Sequence, residues 1–243
     1  MNYRSCRPTK FILKGTLEEL DSFTAQKLLL IAAHCTTVPF VCEIATLEEC
    51  RQISNLPVGL VLLVVFHNSG VGGDKVIAVA TSRAMMKAIA SAAVNSDHSI
   101  SASHEGLTGS SALNESMVDG WLSFVWNSFD LPFQAASLLL KDETISDGEL
   151  EGVEDDLKNA LKKIETHLSN QKGNRSFIMD PITLSSSTET FYSLADLSLA
   201  ITIHFMLDKK IAVSVLSSDE NPHLCRWKQD IHAVLGLTPP EVS

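Results

Sequence analysis

The sequence predicts an α/β domain with a mixed sheet in residues 1–95, followed by an all-helical domain. Three observations indicate this division. The continuous apolar run Leu60–Phe66 is typical of a strand that is covered on both faces. The stretch 96–116 is poor in hydrophobic residues and rich in Ser, His, Gly and Asn, which is the composition of a linker. Beyond it, residues 117–243 show helical periodicity instead of strand patterns.

Strands and helices alternate in the first domain. Short apolar runs predict strands at 11–13, 39–44, 60–66 and 75–80, and helical spacing predicts helices at 24–35, 46–54 and 83–94. Lys27 is expected on the exposed face of the first of these helices. The resulting order, β-α-β-α-β-β-α, is that of a thioredoxin-like domain.

The second half carries four helical segments, at 117–140, 153–168, from Ser193 onward, and 222–235. Pro132 is expected to kink or break the first of them. Ser193 and Asp196 have the spacing of a capping box, in which each side chain accepts the other residue's backbone N–H. Gly236 is the expected stop of the last helix.

Composition and charge exclude several classes of protein. A hydrophobic fraction of 45% is that of a globular protein, and a net charge of −10 disfavours direct binding of nucleic acid. No signal peptide is apparent, and the longest apolar stretch, 58–66, is too short to span a bilayer, so we expect a cytoplasmic protein with no membrane partner. The five cysteines include no Cys-x-x-Cys pair, which predicts buried thiols and no metal site.

The order of elements and three motifs resemble the glutathione S-transferase fold. Pro57 lies where this family has a cis-proline before its third strand, Thr81–Ser82 lies where it has a Glu/Gln-Ser pair before a helix, and Ser193–Asp196 matches its buried capping box. The resemblance implies an α/β thioredoxin-like N-terminal domain (1–95), a linker (96–116) and an all-α domain similar to the C-terminal domain of these transferases (117–243).

The same resemblance implies a glutathione site, with glutathione as the only cofactor to consider. Its residues are Leu56, Pro57, Thr81 and Ser82, and we expect a vestigial site because Thr81 lacks the charge or amide that holds the γ-glutamyl amine. In a serine-type transferase Ser22 would be the catalytic residue, donating a hydrogen bond to the thiolate. The alternative, which the sequence favours, is that Ser22 or Thr24 caps a helix.

The helical half resembles the non-catalytic glutathione-transferase-like modules of the translation machinery. The matching stretches are 118–124 (VDGWLSF), 175–179 (RSFIM), 193–200 (SLADLSLA) and 222–227 (PHLCRW). Such modules occur in eukaryotic methionyl-, glutamyl-, cysteinyl- and valyl-tRNA synthetases, in synthetase scaffold proteins and in elongation factor 1 gamma. The resemblance implies a protein–protein docking module, with a serine-type glutathione transferase as the alternative.

The expected partners are therefore similar modules of synthetases or elongation factors, or a second copy of this chain. Arg226 is the interface candidate, and an ion pair with Asp196 or Asp230 inside the domain is an equal alternative. The chain has no HIGH or KMSKS-type motif, so we expect no aminoacylation site in it. If the parent protein is a synthetase, its catalytic body is expected beyond Ser243. Trp121 and Trp227 are expected to pack in the core.

Overall fold

The structure is a computed structural model that describes residues 8–67, 74–94, 107–109, 111–140, 147–171, 178, 192–212 and 221–236. The chain divides into two compact units, Met1–His104 and Glu105–Ser243. The predicted glycine-rich turn at 68–73, most of the predicted linker, and all of the RSFIM stretch except Ile178 lie outside the described residues. A helix starts inside the stretch whose composition predicts a linker, at Ala112.

The first unit contains a four-stranded mixed sheet in the order β2-β1-β3-β4. Its strands are β1 (Pro8–Gly15), β2 (Phe40–Ile44), β3 (Leu60–Phe66) and β4 (Lys75–Val79). β1 runs parallel to β2 and antiparallel to β3, and β4 is antiparallel to β3. Gly15 pairs with Ile44 on one side and with Leu60 on the other, and Val79 pairs with Leu62. The C-terminal ends of β1, β2 and β4 and the start of β3 therefore lie at the same end of the sheet, which we call the Gly15 edge.

Four helices accompany this sheet: α1 (Leu17–Leu20), α2 (Phe23–Cys35), α3 (Leu47–Ser54) and α4 (Ser82–Val94). The predicted alternation is present, and β3 is almost wholly buried, as its apolar run predicts. The one addition is α1, a single turn whose first backbone N–H groups are capped by Thr16, which accepts from the Glu19 amide. Four residues are too few to produce the periodicity by which helices are recognised in a sequence.

Lys27 is buried, contrary to the expectation that it lies on an exposed face. Only 3% of its surface is accessible, and its ammonium lies 5.5 Å from the centroid of the Phe23 ring. A lysine can bury its four-carbon stem against apolar neighbours, and the ring face attracts the cation. Lys27 therefore belongs to the buried face of α2, together with Ala25, Leu28 and Ile31.

The second unit is helical throughout the part that is described. Its elements are α5 (Ala112–Val125), a π-helical turn (Trp126–Asp130), α6 (Leu131–Leu139), α7 (Asp147–Ser169), α8 (Leu194–Asp208) and α9 (Pro222–Leu235). α8 is the central helix, since all but three of its fifteen residues are buried. In the described part of the chain, no helix combines the length and the apolar character needed to cross a membrane.

The expected kink or break at Pro132 takes the form of a π-helical turn, which separates α5 from α6 and leaves Pro132 in the first turn of α6. The π-helical turn precedes it directly, and the Leu131 N–H donates to the Trp126 carbonyl five residues earlier. Proline lacks an N–H and its ring collides with the carbonyl four residues before it in a regular α-helix, and the wider turn relieves this conflict. The same turn buries Asp130, whose carboxylate accepts a 2.7 Å hydrogen bond from the Thr202 hydroxyl of α8.

Candidate functional site

The Gly15 edge gathers the three segments that the resemblance assigns to a glutathione site. Ser22 starts α2, the second helix after β1, Leu56 and Pro57 precede β3, and Thr81 and Ser82 follow β4. The register explains why: β3 and β4 are antiparallel, so the start of the one and the end of the other lie at the same edge. Topology alone therefore brings these predicted residues to one edge of the sheet.

Ser22 is the N-cap of α2, and its hydroxyl group is fully engaged there. Its Oγ accepts a hydrogen bond from the Ala25 amide at 3.3 Å and donates one to the Glu19 carbonyl at 2.6 Å. A serine hydroxyl has a single proton, so the proton that would stabilise a thiolate is already donated within the chain. Of the two caps that the sequence allows, the structure uses Ser22 and not Thr24.

The extra turn α1 places the Glu19 side chain against the start of β3. A Cβ atom built on Gly59 would lie 2.9 Å from Glu19 Cγ and 3.1 Å from its Oε1, so this side chain packs directly on the Gly59 backbone. The neighbouring Glu18 and Asp21 add further carboxylates to the same short segment. Negative charges of this kind disfavour a thiolate beside them.

The Leu56–Pro57 segment forms a closed turn. The Leu56 amide donates to Ser54 Oγ at 3.2 Å, and the Leu56 carbonyl accepts the Val58 amide at 2.8 Å. The single proton of the Ser54 hydroxyl is shared between the Cys50 carbonyl at 2.8 Å and the Leu56 carbonyl at 3.1 Å. No peptide bond in the described residues is cis, so Pro57 follows a trans bond, which corrects the expected cis-proline. A three-residue turn with proline at its centre suits the trans form and uses the backbone groups of Leu56 internally.

Thr81 and Ser82 begin α4, as predicted, but they bring no charge to the edge. The Thr81 carbonyl accepts the Met85 amide at 2.8 Å, which makes Thr81 the residue before the helix, and Ser82 its first residue. Neither side chain has an ionised group that could hold an ammonium. What this position can offer a ligand is the set of backbone N–H groups that a helix start leaves unpaired.

Cys35, Cys42 and Cys50, the three cysteines of the described part of the first unit, are not activated thiols that could replace Ser22. Burial raises the pKa of Cys35 to about 12, and desolvation also raises the pKa values of Cys42 and Cys50. A thiol with a raised pKa is a poor source of thiolate near neutral pH. Cys42 is exposed, contrary to the expectation of buried thiols, because it lies on the edge strand β2. Among the described residues, no three potential metal-binding side chains lie close enough to hold an ion.

In the second unit the predicted capping box is present and lies at the centre of a buried network. Asp196 Oδ2 accepts from the Ser193 amide at 2.9 Å and from its hydroxyl at 2.7 Å, and the Asp196 amide donates back to Ser193 Oγ at 3.3 Å. Oδ1 accepts from the Ile178 amide at 2.8 Å and from Trp227 Nε1 at 2.9 Å. Burial raises the pKa of Asp196, and these donors act against that rise. Because Ser193 and Asp196 are both buried away from water, the capping box stabilises the fold and is not a ligand site.

Trp227 supplies a contact from α9 to Asp196. Both carboxylate oxygens of Asp196 already have donors, from Ile178, Ser193 and Trp227. Trp227 is fully buried, as expected, whereas Arg226 is half-buried on the same helix. The role of Trp227 could have been found from its indole N–H, because a buried tryptophan needs an acceptor and the nearest buried carboxylate is a natural one.

Comparisons with known proteins identify the fold. No family model and no curated sequence matches the chain. Among solved structures, poplar glutathione transferase F1 is similar over 94% of this chain and 98% of its own, with a TM-score of 0.62 at 18% identity. A glutathione transferase family member from Pseudomonas fluorescens Pf-5, solved with two glutathione molecules bound, gives 0.62 at 17% identity over 99% and 96% of the two chains.

A third similar structure is the transferase URE2P6 from Phanerochaete chrysosporium, solved with oxidised glutathione. It has a TM-score of 0.64 at 12% identity and covers 94% of each chain. At identities this low, the structural similarity establishes the fold and not the activity. The protein therefore has the glutathione transferase fold, an α/β thioredoxin-like unit followed by an all-helical one.

Proposed function

We propose that this chain is a non-catalytic protein of the glutathione transferase fold that docks onto other proteins of the cytosolic translation machinery. The non-catalytic assignment rests mainly on Ser22, because its only hydroxyl proton is donated to the Glu19 carbonyl. The Glu19 carboxylate beside Gly59 and the internally bonded backbone of Leu56 also oppose a bound thiolate and tripeptide. Thr81 adds no compensating charge.

Exposed apolar side chains support docking at the Gly15 edge. Leu17 begins α1 and exposes 63% of its surface, and Ile44, which pairs with Gly15, exposes 74%. Leu47, the first residue of α3, and Leu56, two residues after its end, expose 41% and 45%. Apolar side chains exposed together are typical of surfaces that another protein covers. The finer assignment, to synthetase or elongation factor assemblies, is supported by the resemblance of the 118–124, 193–200 and 222–227 stretches to modules of those proteins.

The test is reconstitution from purified components. The full chain is mixed with the glutathione-transferase-like modules of methionyl-tRNA synthetase and of elongation factor 1 gamma, and mass is measured by size-exclusion chromatography with light scattering. We expect a complex with at least one module, loss of that complex in Ile44→Arg, and no change in Leu138→Arg, which alters an equally exposed leucine of the other unit. Arg226→Ala tests whether Arg226, the interface candidate in the helical unit, contributes to the complex. Failure to associate with either module contradicts the translation assignment.

A serine-type glutathione transferase remains the second candidate function. It is favoured by the convergence of Ser22, Leu56–Pro57 and Thr81–Ser82 on one sheet edge and by the similar structures solved with glutathione. Retention on immobilised glutathione, together with conjugation of 1-chloro-2,4-dinitrobenzene that Ser22→Ala abolishes, would support the enzyme and contradict the non-catalytic assignment.

A further inference from the structure

Three exposed apolar side chains lie together at the Gly15 edge. Leu17 begins α1, Ile44 ends β2 and Leu47 begins α3, and their exposed fractions are 63%, 74% and 41%. Ile44 pairs with Gly15, which is two residues before Leu17, and Leu47 follows Ile44 by three residues. These short separations keep the three residues near one another, and we call them the Ile44 patch. Apolar side chains exposed as a group are typical of a surface that another molecule covers.

The backbone groups beside the Ile44 patch are used within the chain. The Ala45 amide donates to the Gly15 carbonyl at 2.8 Å. The Thr46 amide donates to Glu49 Oε2 at 2.7 Å, and the Glu49 amide donates to Thr46 Oγ at 3.2 Å. A partner strand that paired at this end of the sheet would need such groups, so contact with the patch is made through side chains, as an amphipathic helix makes it.

The size of the Ile44 patch also suits a helix. Side chains on one face of a helix recur at every third or fourth residue, so two turns, about 11 Å long, present two or three of them. A stable interface between two globular domains is larger, at roughly 800 Å² on each partner. Three apolar side chains from three neighbouring elements are what two turns of a helix can cover.

Carboxylates surround the Ile44 patch. Glu18 and Glu19 lie in the first turn of α1, and Glu48 and Glu49 lie in the first turn of α3. Asp21 follows α1 directly. The two apolar residues that begin these helices are therefore each followed by two acidic residues, and the patch has a negative border.

Basic residues do not balance these carboxylates. Residues 14–56 contain six acidic residues and three basic ones. Of the basic residues, Lys27 is buried in α2, and Lys14 is paired with Glu43 at 3.0 Å, which leaves Arg51 on the exposed surface of α3. The border of the patch is therefore negative at neutral pH, as is the whole chain with its net charge of −10. A surface of this sign attracts basic segments and repels nucleic acid and anionic lipid.

We propose that the Ile44 patch binds a basic amphipathic helix of a partner protein. The apolar face of this helix covers Leu17, Ile44 and Leu47, and its lysine or arginine side chains lie beside Glu18 and Glu48, which are both exposed. Apolar contact supplies most of the affinity, and the charges set the preference for a basic partner. This inference rests on the docking function proposed above and specifies the chemistry of the segment that docks.

The probes are three synthetic peptides labelled with fluorescein, whose binding to the full chain is measured by fluorescence anisotropy. The first is helical, with leucine at every third and fourth position and lysine or alanine elsewhere. The second has glutamate in place of each lysine, and the third has the composition of the first in an order that gives no leucine face. We expect the first peptide to bind about tenfold or more tightly than either of the others, and its affinity to fall as salt is added.

Two pairs of variants locate the bound peptide. Ile44→Ser removes an apolar side chain from the patch and is expected to weaken binding of the basic helical peptide about tenfold or more. Ile77→Ser, at an exposed isoleucine of the edge strand β4, is the matched control and should leave binding unchanged. Glu48→Gln is expected to weaken binding about threefold. Its control is Glu115→Gln, which removes an exposed carboxylate from the first turn of α5 and should have no effect.

Two results overturn the inference, with the fold of each variant checked by circular dichroism. One is equal binding of the basic and the acidic peptide. The other is binding of the basic peptide that neither Ile44→Ser nor Glu48→Gln weakens, which is a non-specific attraction to the net charge of the chain. In both cases, association with the synthetase or elongation factor modules in reconstitution would leave the docking function standing. Peptide binding that depends on the patch, without association with those modules, supports the inference and contradicts only the translation assignment.

Discussion

The indole Nε1 of Trp227 donates a 2.9 Å hydrogen bond to the Oδ1 atom of Asp196, across 31 residues of the chain. The same oxygen accepts the Ile178 amide, and the other oxygen accepts both donors of Ser193. One carboxylate therefore joins the start of α8 to α9 and to the chain that follows α7. All of these atoms are buried, so water cannot replace a lost acceptor.

Asp196→Asn is expected to destabilise the protein by about 3 kcal/mol or more. The asparagine keeps the shape of the side chain but exchanges one acceptor oxygen for an amide that donates, and this amide must face a donor such as the Ser193 amide or Trp227 Nε1. Urea denaturation followed by circular dichroism measures the change. Asp156→Asn, at an exposed position of α7, is the control and should stay within about 0.5 kcal/mol of the wild type.

We expect His232 to make the protein sensitive to acid. Burial, followed by the nearby charges of His204 and Lys228, lowers the pKa of this histidine from 6.5 to about 4. The unfolded chain therefore takes up a proton below pH 6.5 that the folded chain does not bind, and stability falls as the pH decreases from 6.5 to 4. The expected loss attributable to this group is about 2 kcal/mol at pH 5.

The measurement compares the wild type with His232→Phe by urea denaturation at pH 7.5 and pH 5. We expect the variant to lose about 2 kcal/mol less than the wild type between these two values, because it has no imidazole to protonate. His67→Gln removes an exposed histidine and serves as the control. Equal losses in His232→Phe and the wild type would show that the acid sensitivity arises elsewhere.

Local rules predicted the elements whose ends carry their own signals. The residues Ser193 and Asp196 contain the complete capping box, and Gly236, with φ at +61°, ends α9 where the sequence places the stop. The strand Leu60–Phe66 could be predicted from its unbroken apolar run alone. In each case the physical cause lies within a few neighbouring residues, which is why the sequence alone is sufficient.

Features that depend on distant packing were not predictable in this way. Lys27 is only 3% exposed, although periodicity places it opposite the apolar face of α2, because burial depends on what packs around a helix and not on its own sequence. The engagement of Ser22 depends on α1, a turn too short to recognise in the sequence.

Ser22→Ala separates a capping role from a catalytic one. As the N-cap of α2, the serine contributes about 1 kcal/mol, so we expect the alanine variant to lose this amount and Ser22→Thr to keep most of it. Neither variant should change the rate of glutathione conjugation from that of the wild-type chain. A conjugation rate that falls at least tenfold in Ser22→Ala, with the fold intact, would instead identify Ser22 as a thiolate donor.

Two glycines are expected to respond in opposite directions to the same substitution. Gly236 has a φ of +61° at the end of α9, where a side chain is strained, so Gly236→Ala should destabilise the protein by about 1 kcal/mol. Gly152 lies inside α7 with nothing within 4 Å of a built Cβ, so Gly152→Ala should stabilise it by about 0.5–1 kcal/mol. Thermal unfolding of the two variants side by side measures both effects, and a shift of the same sign in both would contradict the assigned helix end.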